Sequence, residues 1–145
     1  MATSCTSGST SRRLAAGIAL AAVALAARAD VVMLPAISGE VGMADLASVR
    51  DRGAWRVGTV RARFAQPMMF GTFEADESED DYAFDCKDGS YTYARRTLRL
   101  AGVVVRNVGI PEDRWASNRF PAPPSGSLPW LAGKRFCAMK DVPAA

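Results

Sequence analysis

Residues 14–27 form an uninterrupted, Ala-rich apolar run of 14 residues that two arginines precede. A helix that spans a membrane needs about 20 apolar residues, so this run is too short to be a good anchor. It ends at the A-x-A motif Ala27-Arg28-Ala29. A basic start, a short apolar centre and a small-residue site are typical of a secretory signal peptide. We therefore expect residues 1–29 to be removed by cleavage after Ala29, and the mature protein to be periplasmic or secreted.

The predicted cleavage changes the charge of the chain. The leader carries three arginines and no acid, so the mature chain keeps 15 of the 18 basic residues against 15 acidic ones. Nucleic-acid binding requires a cationic surface, so we expect no nucleic-acid partner, and membrane contact only during export. The remaining length suits one domain, predicted at residues 30–145 with its core at about 41–139.

Two cysteines remain after cleavage, Cys86 and Cys137. Disulfides are the default for paired cysteines in an oxidising compartment, so we predict a structural bond between them. The alternative is a redox pair or a thiol nucleophile. The chain has no C-x-x-C motif and no histidine to activate a thiolate, which favours the structural role.

The absence of histidine also limits the possible chemistry. It excludes Ser-His-Asp and Cys-His nucleophiles and His-ligated metals. Asp45, Asp85 and Glu112 are the carboxylates that acid–base catalysis would use, but the chain contains no G-x-S-x-G, P-loop or H-E-x-x-H motif. We therefore expect no enzymatic activity, no cofactor and no metal.

Several segments of the mature chain have the residue types and the apolar–polar alternation that predict antiparallel strands. Residues 31–34, 54–64, 90–100 and 100–110 are rich in apolar and β-branched residues, and Pro67 is expected to end the second segment. Tyr82, Phe84 and Cys86 alternate with smaller or polar residues, which places all three on one face, the predicted core face. Asp-Gly in residues 87–90 predicts a tight turn to the next strand.

Other segments suggest different structures. Residues 45–52, followed by Gly53, predict a helical turn. Six acids between Glu74 and Asp81 predict a solvated loop rather than a calcium site, because the EF-hand spacing is missing. The Pro-rich residues 111–126 predict an ordered loop that Trp115 and Phe120 pin to the core.

A C-terminal helix is predicted to begin after Ser125 or Ser127 and to run to about Met139. Leu128, Leu131, Ala132 and Met139 share its apolar side, whereas Trp130 and Cys137 lie opposite. The predicted disulfide would join this helix to the sheet, and residues 141–145 are expected to fray. The fold class predicted from these elements is α+β: an antiparallel β-sheet with a C-terminal helix packed on it.

The chain also resembles a known family. Four segments resemble the surface-adhesin protein E-like family of small exported bacterial domains. They are the strand Tyr82-Ala83-Phe84-Asp85-Cys86-Lys87, the Trp- and Pro-rich loop, the string Pro124-Ser125-Gly126-Ser127 and the helix ending in Cys137. The resemblance covers residues 41–137. It implies an antiparallel sheet packed on a helix, a structural role for both cysteines, formation of a homodimer, and binding of host or envelope proteins.

Three functional expectations follow. The leading one is an exported, non-enzymatic binding module with an unidentified protein ligand. One alternative is a small periplasmic inhibitor of a cell-wall hydrolase, whose acidic loop at residues 74–81 would approach a cationic enzyme by electrostatic steering. The other is an envelope protein of unknown role.

Overall fold

The computed structural model describes residues 30–145, and six antiparallel strands account for most of them. Each strand pairs with its neighbours in the chain, so the order in the sheet is β1 to β6. The strands are β1 (Val31–Pro35), β2 (Val41–Arg52), β3 (Trp55–Phe70), β4 (Phe73–Asp85), β5 (Tyr91–Leu100) and β6 (Val103–Gly109), and the helix is α1 (Leu128–Ala138). This arrangement confirms the predicted α+β class. None of the helices in residues 30–145 has the length and apolar character needed to cross a bilayer.

The predicted turn between β4 and β5 is confirmed. Gly89 has a φ of +76°, which glycine adopts without steric cost. The Asp88 carboxylate accepts a hydrogen bond from the backbone N–H of Ser90 at 2.8 Å. This Asx-type contact fixes the direction in which β5 leaves the turn.

The helical turn predicted at residues 45–52 is wrong, because this segment lies in β2. The pairing register with β3 shifts between Asp45 and Arg50. Within this irregularity the Asp45 carboxylate accepts from the Ala47 N–H, and the Ser48 hydroxyl donates to the Asp45 carbonyl. Short-range contacts of this kind satisfy polar groups that the bulge removes from the strand ladder. Val49, which follows the bulge, is fully buried in the core.

The acidic residues 74–81 do not form a loop, and the prediction of a solvated segment is wrong. They lie within β4, between β3 and β5. Arginines on both neighbouring strands pair with four of the six acids, which the acidic run considered alone does not reveal: Glu77, Glu79, Asp80 and Asp81.

The predicted end of β3 and the predicted fraying of the C-terminus are also corrected. β3 continues past Pro67 to Phe70, and the proline falls within a register shift between Arg63 and Met68, where a missing N–H is tolerated. Residues 141–145 do not fray completely, because Asp51 in β2 donates its N–H to the Pro143 carbonyl and accepts from the Ala145 N–H.

The core lies between α1 and one face of the sheet. The buried helix residues are Leu128, Ala132 and Phe136. Phe136 therefore belongs to the apolar face of the helix, although the sequence pattern did not assign it there. Phe136 packs over Gly58 in β3, where an added Cβ would lie 2.7 Å from the ring. The ring of Phe84 meets Phe136 edge-on at 5.9 Å. The predicted core position of Phe84 is therefore confirmed.

The opposite face of the sheet is covered at one end by the loop after β6. Trp115 is buried there, donates its indole N–H to the Ile110 carbonyl at 2.8 Å, and meets Trp55 edge-on at 6.0 Å. This confirms the predicted pinning role of Trp115. Phe120 remains about half exposed, although its backbone pairs with Tyr91.

Candidate functional site

The predicted bond between Cys86 and Cys137 is present, with a Cα–Cα distance of 5.5 Å and a sequence separation of 51. Cys86 immediately follows β4, and Cys137 lies in the last turn of α1. The bond therefore joins the sheet to the helix, as the sequence predicted. Cys86 itself is exposed at the surface.

A cavity of about 480 Å³ opens beside this disulfide. Its apolar wall includes Phe84 from β4, Trp130 from α1, and the prolines Pro123 and Pro129 around the start of the helix. Gly133 lets α1 approach this wall closely, because a Cβ there would lie 3.0 Å from the Phe84 ring. The size falls within the range of small-molecule sites, about 300–1,000 Å³.

Two lysines, Lys87 and Lys134, line the same cavity. Within residues 30–145 neither forms an ion pair with a carboxylate. The ammonium of Lys134 lies 5.4 Å from the centre of the Trp130 ring, a cation–π distance. Asp88 also lines the cavity, but its carboxylate faces the Arg119 guanidinium at 3.5 Å. The cavity is therefore net positive.

A second cavity of about 520 Å³ lies near the same disulfide. Cys86 and Lys87 line both cavities, and Trp55 and Arg56 line only the second one. Arg56 is already engaged, because it pairs with Asp51 and donates to the carbonyls of Phe136 and Met139. The second cavity therefore offers fewer free polar groups.

The open face of the sheet carries a row of ion pairs across β3, β4 and β5. Glu79 in β4 lies 2.8 Å from Arg61 in β3 and 3.4 Å from Arg95 in β5, and Asp81 lies 2.9 Å from Arg95. Glu77 has arginines on both sides in the same way. Exposed pairs of this kind contribute only about 0–1 kcal/mol each, so their main effect is on strand register.

Beside these ion pairs, β1 and β2 present an exposed apolar patch that we call the β1–β2 patch: Val31, Met33 and Val41. These side chains are 52%, 55% and 47% exposed. They lie on the face opposite Leu34, which is buried in the core, because successive side chains of a strand alternate between faces.

Two arginines of β3 border the β1–β2 patch. Arg63 is the register partner of Val41, and Arg61 is the partner of Met43. Their side chains are 76% and 61% exposed despite the ion pairs that they make. The result is an apolar surface bordered by two exposed arginines, each of which also pairs with a glutamate of β4.

A buried ion pair lies on the core face of the sheet. Arg96 in β5 donates from Nε and Nη2 to the two carboxylate oxygens of Asp80 in β4, at 2.7 and 2.9 Å. Its guanidinium also lies 3.9 Å from the centre of the Tyr93 ring. Burial alone would lower the pKa of Arg96, but hydrogen bonds to Asp80 and the charge of Asp80 raise it above the usual value.

Burial also perturbs two nearby tyrosines. It raises the pKa of Tyr82 well above the usual value, and the negative charge of Asp80 adds to the effect. It raises the pKa of Tyr91 to about 12, with a further contribution from Tyr93. Both side chains belong to the packing of the core: Tyr82 lies within it and Tyr91 packs against it.

The three carboxylates considered for acid–base chemistry have separate structural contacts. Asp45 and Asp85 each accept from the backbone N–H two residues later, and Glu112 pairs with Arg52 at 3.1 Å. Asp45 and Asp85 lie opposite β3 residues four positions apart, which separates them by about 13 Å along the strand. No three acidic or cysteine side chains of residues 30–145 are placed to share a metal ion.

Sequence reasoning missed the cavity and the β1–β2 patch. The available signal for the cavity was the pair Trp130 and Lys134, four residues apart on the helix that carries Cys137. The signal for the β1–β2 patch was the alternation of Val31 and Met33 with Leu34 in a strand where apolar residues occupy both faces.

The comparisons with known proteins found no counterpart: no protein-family model, no curated protein and no solved structure matches the chain. The resemblance to the surface-adhesin protein E-like family therefore stays a prediction, as does the dimerisation that it implies.

Proposed function

We propose that the chain is an exported, non-enzymatic binding module of the protein E-like type, and that it binds a partner protein through the β1–β2 patch. The observation that carries the proposal is this exposed apolar surface with Arg61 and Arg63 at its border. Apolar patches with a polar rim are typical of interaction sites, and the three side chains of this patch are each about half exposed. Methionine and arginine are enriched in protein interfaces, whereas lysine is depleted.

The border defines the chemistry of the partner. The guanidinium groups of Arg61 and Arg63 project next to the apolar side chains and remain largely solvent-exposed. A complementary surface has an apolar centre and a rim of aspartate or glutamate, since opposite potentials guide association and reject other partners. The partner is therefore an envelope or host protein with an acidic and apolar surface.

The hydrolase-inhibitor hypothesis loses the observation from which it was argued. It was argued from a free acidic loop at residues 74–81, and these residues lie in β4, where Glu77, Glu79 and Asp81 pair with arginines. A cationic enzyme would have to compete with Arg61 and Arg95 for them.

Site-specific crosslinking tests the proposal. A photoreactive amino acid at position 33 is compared with one at position 69, because Met69 is similarly exposed but lies outside the β1–β2 patch. With intact envelopes or host matrix, we expect one protein to be captured from position 33 alone. Capture should fall with Arg61→Glu and Arg63→Glu, and with rising salt.

Three results would count against this function. Equal capture from positions 33 and 69 would mean non-specific adhesion. Capture of a second copy of the chain would assign the β1–β2 patch to a homodimer, and capture that Arg61→Glu leaves unchanged would remove the cationic border from recognition.

A further inference from the structure

We propose that the cavity beside the Cys86–Cys137 disulfide binds a small aromatic carboxylate. The proposal is independent of the protein partner, because the cavity lies beside α1 and the β1–β2 patch lies on the face of the sheet opposite the helix. A volume of about 480 Å³ accommodates a ligand with one or two rings.

The charge of the cavity favours an anion. The chain has three lysines among its 18 basic residues, and two of the three line this cavity. The ammonium groups of Lys87 and Lys134 have no carboxylate partner within residues 30–145, and α1 contains no acidic residue. Asp88 adds no net negative charge, since Arg119 faces it. One carboxylate is the complement of this local excess of positive charge.

The walls require an apolar, flat group in addition to the charge. Trp130, Pro123 and Pro129 present rings to the cavity, and Phe84 lies deeper, against Gly133. An inorganic anion would use the lysines and leave these rings in contact with water. A neutral hydrocarbon would use the rings and leave the two ammonium groups unpaired. An aromatic ring bearing a carboxylate uses both.

The test uses 2-naphthoate as the probe and the oxidised protein of residues 30–145. In NMR spectra, the indole N–H of each tryptophan gives a separate signal. We expect a saturable shift of the Trp130 signal and no comparable shift of Trp55 or Trp115. The neutral analogue 2-naphthamide has the same shape, and it should bind at least about five-fold more weakly because it cannot pair with either lysine.

Lysine variants supply the matched controls. Lys87→Met and Lys134→Met should each weaken 2-naphthoate binding by about three-fold, the size expected for one exposed ion pair. Lys140→Met should leave the affinity unchanged, because Lys140 does not line the cavity. All three lysines are exposed, so these variants should fold.

A second measurement does not depend on the tryptophans. Both cysteines line the cavity, so saturating 2-naphthoate should slow reduction of the disulfide by dithiothreitol in the wild type. The proposal is overturned if acid and amide bind equally, or if Trp55 shifts instead of Trp130, which would place the ligand in the second cavity. Absence of a saturable shift at millimolar concentrations would overturn it as well.

Discussion

Replacement of Arg96 by methionine removes one partner of the buried pair and leaves the other. The Asp80 side chain is 3% exposed, and without Arg96 its remaining side-chain contacts are the Ser78 hydroxyl at 3.2 Å and the Tyr82 hydroxyl at 3.4 Å. Breaking a buried pair in this way costs about 3–5 kcal/mol. Because the Arg96 side chain is 22% exposed, water can reach part of the site, so we expect about 3 kcal/mol.

This loss is large enough to measure by urea denaturation. A small domain has an m-value of about 1–3 kcal/mol per molar urea, so the midpoint should fall by about 1–3 M with an unchanged m-value. Arg61→Met is the matched control, because it removes an arginine that pairs with a β4 acid at the exposed face. It should cost at most about 1 kcal/mol.

A double variant separates charge burial from packing. Asp80→Asn combined with Arg96→Met leaves no uncompensated charge in the core, so it should be more stable than Arg96→Met alone. Two results would contradict this reasoning: an Arg96→Met variant within about 1 kcal/mol of the wild type, or an equal loss in Arg61→Met. Either would show that the buried Asp80 carboxylate does not depend on Arg96 for its stability.

Three further predictions concern stability. Cys86→Ser should lower the free energy of unfolding by about 4 kcal/mol under oxidising conditions, since the bond joins residues 51 apart in sequence; equal urea midpoints would contradict this. Gly58→Ala should cost about 1–3 kcal/mol, because the new methyl group would meet the Phe136 ring; a wild-type midpoint would show that the ring moves at little cost. The raised pKa of Tyr91, about 12 against an ordinary value of 10, contributes stability that is fully present below about pH 10 and is lost as the pH rises towards 12. Urea midpoints measured across this range should therefore fall, and they should fall less in Tyr91→Phe.

The elements that local patterns determine were predicted correctly. Alternation over residues 82–86 is a property of one strand, so it placed Tyr82 and Phe84 on the core face without knowledge of any partner. The Asp-Gly turn and the disulfide follow equally from local geometry and from cysteine number.

The misassigned segments depend on contacts distant in sequence. The acids of β4 looked self-repelling because their arginines lie 14 to 22 residues away, and only the register of β3 and β5 brings them together. The bulge after Asp45 imitates a helical turn over four residues, and its pairing with β3 decides otherwise. The cavity combines residues from β4, the proline-rich loop and α1, so no single segment indicates it.

The strictly sequential order of the strands has a consequence for oxidative folding. Each hairpin of the sheet joins residues close in the chain, and such short-range pairing is associated with fast folding. Docking of α1 then brings Cys137 back to Cys86. Residues 30–145 contain these two cysteines alone, so once the predicted leader with Cys5 has been removed, oxidation within one molecule has a single product. Maturation of this domain therefore requires an oxidant but no reshuffling of mispaired bonds.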